Sequence, residues 1–314
     1  MFRIRLIAAL ATLLGLTGLF AGAAHALQRT HVSAAFGADA NTASNCSATA
    51  PCRFFQAALT VTDTNGEVVV LDNGGYGAVT ITQSVSLVAP TGVYAGISVF
   101  PGAEGVTIAT PGVKVVLRGL TINGQGGDYG IHMTAGASLS VEDCVVANMA
   151  ADGIVVTAPA VVSVVGTLLR GNPVGIFAAN GASATLSKVT VLGSTNTGIQ
   201  IYGNTASTTT ATITDSVVSG SGTWGIIALS NAASANVRAS VIRSTVTKTA
   251  STGVSSQSTA GGLVVLTLSE SLVTANAFAL QQFGTGATLE TLGNNTVRQN
   301  TAATSGTITA VAPM

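Results

Sequence analysis

The chain has 314 residues, of which twelve are basic and twelve acidic, so that only 8% are charged. A chain this close to neutral lacks the basic footprint that nucleic acid or an anionic membrane surface requires, and neither is expected as a partner. Aromatic residues make up 4% of the chain, so a core must be assembled from small aliphatic side chains, which suits a narrow coil better than a broad globule.

Met1-Phe2-Arg3-Ile4-Arg5 is followed by a nearly unbroken apolar run from Leu6 to Ala23 and then by Ala24-His25-Ala26. A positive start, an apolar middle and an A-x-A end predict a signal peptide over residues 1–26, cut after Ala26. An uncleaved anchor is the alternative, because the run approaches spanning length. Cleavage removes Arg3 and Arg5, leaving ten basic and twelve acidic residues and a net charge of −2. No later stretch is long and apolar enough to cross a bilayer, so the mature chain is expected in the periplasm or outside the cell, without a membrane partner.

Residues 27–65 read as an N-terminal cap. Cys46 and Cys52 lie in Asn-Cys-Ser-Ala-Thr-Ala-Pro-Cys, a short loop that predicts a disulfide in an exported chain. The alternatives are two free thiols or half of a metal site, and no second Cys/His pair completes a zinc site. Arg53 to Leu59 places aromatic and aliphatic residues at helical spacing, as expected of a short helix covering the open end of a stacked fold.

Residues 66–314 repeat. Gly130-Ile131, Gly153-Ile154, Gly175-Ile176, Gly198-Ile199, Gly225-Ile226 and Gly253-Val254 follow one another at intervals of 23, 22, 23, 27 and 28 residues. A period of this size means stacked like units. Each interval also holds a strand of the form x-Φ-x-x-σ-x-Φ, with Φ aliphatic and σ usually small. The first Φ column reads Leu117, Val141, Val164, Leu186, Ile213, Val237 and Leu268. The σ column reads Leu120, Cys144, Thr167, Val189, Ser216, Ser240 and Ser271, which makes Cys144 a buried small residue. The second Φ column reads Ile122, Val146, Leu169, Val191, Val218, Ile242 and Val273. Ile131 to Val254, with Leu280, form the inward column of the Gly-Ile strand.

Side chains alternate sides along a strand, so each column becomes one interior row stacked about 4.8 Å per turn. Parallel stacking with short Gly/Asn/Ser turns and no intervening helices predicts an all-β fold, a parallel β-helix solenoid with a short N-terminal helical cap. Earlier, less regular turns fall at Glu67–Leu71, Val79–Val88, Gly96–Val99 and Val106–Ile108. The two longer intervals predict surface loops around Asn204–Thr210 and Ser244–Thr252. The last turn, Gly306 to Pro313, has no polar cap of its own, which leaves end-to-end self-association open.

The string His31-Val32-Ser33, Gly37-Ala38-Asp39-Ala40-Asn41, Cys46 and Pro51-Cys52-Arg53-Phe54-Phe55-Gln56-Ala57-Ala58, with repeats such as Leu139-Ser140-Val141-Glu142-Asp143-Cys144-Val145-Val146, resembles exported bacterial proteins of the right-handed, pectin-lyase-like β-helix type. The resemblance covers roughly residues 30 to 300 and implies the hand of the coil. It names no reaction, because this superfold hosts lyases, hydrolases, adhesins and proteins without assigned activity.

Lyases on the fold need a carboxylate cluster that binds calcium and a basic residue, and its glycosidases need paired carboxylates. The column two residues after the first Φ reads Gly119, Asp143, Gly166, Lys188, Asp215, Ala239 and Glu270, in which acids alternate with other types. Lys188 beside Asp215, and Arg118 beside Glu142, read as exposed ion pairs between turns, which contribute little. No metal site and no cofactor is expected. The catalytic candidates that remain are Asp128, His132 and Asp152, around the first two Gly-Ile pairs. Tyr129, Phe177, Tyr202 and Trp224 on the same face are candidate ligand-binding residues, since sugar rings stack on aromatic faces beside polar groups. The expected function is a non-catalytic exported β-helix, structural, at a surface, or binding a polysaccharide. The alternative is a polysaccharide lyase or glycoside hydrolase.

Overall fold

The structure, a computed structural model, describes residues 27–312, and the signal peptide expected over 1–26 lies outside the described residues. One turn of the coil shows the whole architecture. The strand Tyr129–Ala135 leads into Ser138–Glu142, a tight corner leads into Val145–Ala147, and a second corner returns the chain to Asp152–Val156, which lies directly beside Tyr129–Ala135. Repetition of this path builds three sheets of twelve, ten and ten strands, and every strand pairing within them is parallel. The ten-stranded sheet that contains Tyr129–Ala135 is called the Gly-Ile sheet below.

The inward column of the Gly-Ile sheet is as expected. Ile131, Ile154, Ile176, Ile199, Ile226, Val254 and Leu280 are paired in unbroken succession. Each is almost wholly removed from solvent. Val191 of the second Φ column is likewise buried. Burial of this apolar surface, at roughly 25 cal/mol per Å², is the main force holding turn upon turn.

The segment predicted as one strand of the form x-Φ-x-x-σ-x-Φ is two strands in two different sheets. The residue before σ turns the corner with a left-handed backbone: φ is 52° at Asp143, 60° at Gly166, 54° at Lys188, 51° at Asp215, 47° at Arg243 and 48° at Glu270. For a residue with a Cβ this conformation costs about 1–2 kcal/mol. The corner amides offset that cost by continuing the ladder, as in Asp143 N–H to Val165 O at 3.0 Å and Lys188 N–H to Thr214 O at 3.1 Å. The corner also explains why σ is so often Ser or Thr. The Ser216 hydroxyl accepts from Val189 N–H on the preceding turn (3.1 Å) and donates to Thr214 O (2.7 Å). Ser244 and Ser271 do the same for Ser216 and Ser244 in turn. A small hydroxyl thus satisfies the backbone at the point where the strand leaves its sheet. Cys144 takes this place three turns before Ser216. It is buried, and burial pushes its thiol up to about 11, so it behaves as a small packed group.

One turn is read four residues too early by pattern alone. Ile213 pairs with Val241, and Val218 with Val246, so the column members are Val241, Ser244 and Val246 in place of Val237, Ser240 and Ile242. Both strings fit x-Φ-x-x-σ-x-Φ, and only the ladder separates them. The same slip misplaces a loop: Ser244–Thr252 contains the strand Thr245–Thr247, and the extra residues of that turn lie at 231–235. In the preceding turn the predicted loop shrinks to 204–207, because a strand already begins at Thr208.

The recurrent glycine is a matter of space. A Cβ on Gly130 would stand 2.3 Å from Val146 Cγ1 and 2.6 Å from the carbonyl of Gly153, and Gly198 meets the carbonyl of Gly225 at 2.5 Å in the same way. Each glycine therefore reserves room for the next, and the series extends back to Gly105.

The N-terminal end is closed as expected. Helix Phe55–Leu59 buries Phe55, Ala58 and Leu59 over the first turns, and Cys46 is bonded to Cys52. The strand Leu27–Val32 extends the twelve-stranded sheet by pairing with Thr62–Val70, which spans the expected boundary between cap and coil. Asp72 fastens this segment to the coil, accepting hydrogen bonds from Ser33 Oγ (2.6 Å), the amides of Ala34 (2.7 Å) and Ala35 (3.1 Å), and the Tyr76 hydroxyl (2.5 Å). Burial works to raise the Asp72 pKa, but these donors outweigh it and hold the carboxyl at about 2. At the other end the described residues finish in two short strands, Ala302–Ser305 and Ile308–Ala310, each the last of its sheet. No helix among the described residues is long and apolar enough to cross a membrane, and this, with the disulfide, is compatible with an extracellular location.

The column assignment has a direct test. Ile199→Asp sets an unpaired charge between Ile176 and Ile226, at a cost of several kcal/mol. The variant is expected to melt far below the parent by circular dichroism, and an unchanged melting curve would show that position 199 is not interior.

Candidate functional site

The candidate residues owe their meeting to a local irregularity at each glycine. Pairing runs Tyr129 to Glu104 and then Ile131 to Val106, and Asp152 to Val174 and then Ile154 to Ile176, skipping the glycine each time. The glycine position and the isoleucine after it both face the core. The residues on either side of this pair, such as Tyr129 and His132, are therefore both directed outward, and their rings lie 4.5 Å apart at 42°.

His132 is held from the turn below. Its Nδ1 lies 2.6 Å from Glu104 Oε1, and the other carboxylate oxygen accepts from the Thr107 hydroxyl at 2.6 Å. Asp152, on the turn above, accepts from Val174 N–H through Oδ1 at 3.1 Å. Burial pushes the Asp152 carboxyl upward, and that hydrogen bond together with nearby His132 offsets only part of the effect. The Tyr129 hydroxyl is also pushed up, first by burial and then by the charges of Asp152, Asp128 and Glu104. Asp128 joins the group at the turn, its amide bonded to Ala103 O and its carbonyl accepting from Ala151 N–H. The structure thus gathers Asp128, Tyr129, His132 and Asp152 on one surface, as the sequence suggested, and adds Glu104. The signal for Glu104 was the Gly105-Val106 pair that follows it, one repeat ahead of the first regular Gly-Ile.

Further along the same face Phe177, Tyr202 and Trp224 are all half-buried. Phe177 and Tyr202 lie 5.5 Å apart, and the Tyr202 hydroxyl is hydrogen-bonded to Asn231 Nδ2. Gln200 stands beside Phe177 in the ladder. Beyond Trp224 comes a polar patch in which Gln257 Nε2 donates to Ser255 Oγ (3.0 Å) and Gln281 Oε1 (3.1 Å). Exposed Phe278 and Phe283 follow on the strand that carries Gln281. The two phenylalanines escaped sequence reasoning because Ala279 replaces the glycine of their repeat, and no Gly-Ile pair marks that turn.

The corner column offers no comparable group. Asp215 is paired with Arg243, Nε to Oδ1 at 2.8 Å and Nη2 to Oδ2 at 3.0 Å, in place of the expected bond to Lys188. The register slip is again the cause, since Arg243 occupies the position assigned to Ala239. The Arg243 hydrogen bond holds the Asp215 carboxyl below its usual range, with Lys188 contributing from a distance. Arg118 and Glu142 are paired as expected, at 2.7 Å. Among the described residues no group of three or more His, Cys, Asp and Glu side chains converges so as to hold a metal.

Residues 104–302 match the family model described as a right handed beta helix region, and the chain belongs to that family. Among solved structures, pectate lyase Pel9A superposes with a TM-score of 0.66 at 13% identity, over 89% of this chain and 78% of the other. The A-module of mannuronan C-5 epimerase AlgE6 from Azotobacter vinelandii covers 79% of this chain and 91% of its own, with a TM-score of 0.45 and 12% identity. At these identities the first likeness is one of fold, of the pectin-lyase-like type, and the second carries no argument. No curated protein matches the chain.

Asp152 supplies a test of the site's electrostatics. A carboxyl whose pKa is raised in the folded state is stabilising while protonated, fully so below the ordinary value of 3.8, and that stability is lost as pH rises through the folded value. Asp152→Asn keeps an oxygen for Val174 N–H and removes the ionisation. The variant is expected to melt above the parent at pH 7 and level with it below pH 3.8. A difference that does not change with pH would show that the carboxyl is not strained by burial.

Proposed function

We propose that the protein is an exported, non-catalytic β-helix that binds glycans on the outer face of the Gly-Ile sheet. The observation that carries this reading is the group of half-buried aromatic rings, Phe177, Tyr202 and Trp224, on three neighbouring strands of one sheet face with Gln200 and Asn231 among them. Flat apolar rings stack on the C–H faces of sugars, and neighbouring amides bond their hydroxyls, so such a surface binds without needing a closed pocket. Trp224 is the one tryptophan of the chain, which makes its fluorescence a report on this face alone. Titration of the mature protein with a polysaccharide panel is expected to shift that emission, and Tyr202→Ala to weaken binding about tenfold, or about 1.4 kcal/mol. Unchanged emission together with no retention on any polymer would overturn the proposal.

A second reading rests on the cluster of Asp128, His132, Asp152 and Glu104. A partly buried carboxyl whose pKa burial raises, near a histidine fixed by another carboxylate, has the parts of an acid–base pair. The fold likeness to pectate lyase Pel9A agrees with a lyase or hydrolase acting on a polysaccharide. Reducing ends and unsaturated products from the same panel decide the matter. Turnover abolished by Asp152→Asn would establish the enzyme and this site, and turnover that survives Asp128→Ala and Asp152→Ala would place the chemistry elsewhere.

A further inference from the structure

The twelve-stranded sheet has an outer face of its own, built mainly of hydroxyls. Thr185, Thr212, Ser240 and Thr267 follow one another in unbroken pairing, and the column then reaches Glu290. They point outward because the next residues, Leu186, Ile213, Val241 and Leu268, are buried in the core. Arg238 stands two residues before Ser240 on the same strand, in the outward column between Thr210 and Val265. A shallow depression of about 480 Å³ lies here, and its polar lining consists of Thr210, Thr212, Arg238, Ser240, Thr267 and Glu290.

Two opposite charges share this depression without meeting. On the same sheet Arg29 and Arg118 are paired with Glu67 and Glu142, whereas Arg238 is exposed and enters no ion pair among the described residues. Glu290 is half-buried, and its Oε2 accepts from the Thr267 hydroxyl at 2.9 Å. Two strand spacings of about 4.8 Å and two residues of about 3.3 Å set the backbones of Arg238 and Glu290 roughly 12 Å apart. The Thr212 and Ser240 hydroxyls near Arg238 have no hydrogen-bond partner among the described residues.

We propose that this depression binds a short extended peptide by its two ends, the terminal carboxylate on Arg238 and the terminal ammonium on Glu290. A guanidinium presents two parallel N–H donors to a carboxylate, and the Glu290 carboxylate attracts an ammonium. The hydroxyls between them both donate and accept, as peptide groups require. A polyanion is opposed by Glu290 and a polycation by Arg238, while a zwitterion with separated charges satisfies both. Each extended residue spans about 3.3–3.6 Å, so two to four residues bridge the distance once both side chains lean inward. A single amino acid holds its charges too close together to reach both. The site lies on a different sheet from the aromatic face and is independent of the glycan-binding reading.

Calorimetric titration of the protein with di-, tri- and tetra-alanine, each free, N-acetylated or C-amidated, tests the proposal. The free peptides are expected to bind at low salt, and either block, or high salt, to lower affinity about fivefold or more. Arg238→Gln is expected to cost the free peptide as much as amidation does and to leave the amidated peptide unaffected. Glu290→Gln is expected to bear the same relation to N-acetylation. Both side chains face outward, so both variants are expected to melt with the parent. Equal affinity for free and blocked peptides would overturn the proposal, as would an Arg238→Gln loss that is the same with and without the carboxylate. Glycine binding as tightly as the peptides would also overturn it, by showing an anion held on Arg238 alone. Absence of heat with every peptide would remove the site altogether.

Discussion

Everything in this molecule depends on the strict parallel register of one turn upon the next. A strand of three to seven residues has no stability alone; it exists here because its backbone is bonded on both edges and its inward side chain lies on a like side chain above and below. Once Ile131 lies on Ile154, the placement of every other residue in the turn follows. The two outward flanks of each Gly-Ile pair, the corner in the left-handed conformation and the hydroxyl that bonds it are all consequences of that stacking.

The glycine column shows how this constraint reaches the surface. Each glycine gives up its side chain because the carbonyl of the next glycine occupies the space. The local break in pairing that accompanies it turns two residues outward on either side of two that face in. Tyr129 and His132 are ring neighbours for that reason, and Asp152 comes within electrostatic reach of His132 because the next turn repeats the same break. A feature of core packing therefore sets the geometry of the candidate site, and repeats it at each turn to form a long face rather than a single pocket.

Charge is used sparingly and locally. Arg118–Glu142 and Arg243–Asp215 tie adjacent turns near the corners, and Asp72 joins the cap to the coil through three donors, Ser33 Oγ and the amides of Ala34 and Ala35. The Gly-Ile face keeps only a few acids at one end and aromatic rings along its length. This division leaves the ten strands of the Gly-Ile sheet without a Lys or Arg, while the ion pairs stand at the corners.

The sequence by itself determined the period, the inward columns from Ile131 to Leu280, the cap helix and the disulfide, because alternation and spacing are local properties that survive without coordinates. It also placed Asp128, His132 and Asp152 near one another, since all three are counted from the same glycine. Tertiary structure alone decided the rest. Two frames four residues apart satisfy the same pattern around Val237 and Val241, and only hydrogen bonding to the neighbouring turns selects the second, together with the Asp215–Arg243 pair. Glu104 and Phe278 precede a glycine outside the regular series and an alanine in place of the glycine, so their part in the outer face became visible only when the ladder aligned them with Tyr129 and Thr252. The corner residue was hidden for a related reason: its left-handed φ is tolerated only where the stacked amides of adjoining turns hold it, and no single repeat carries that information.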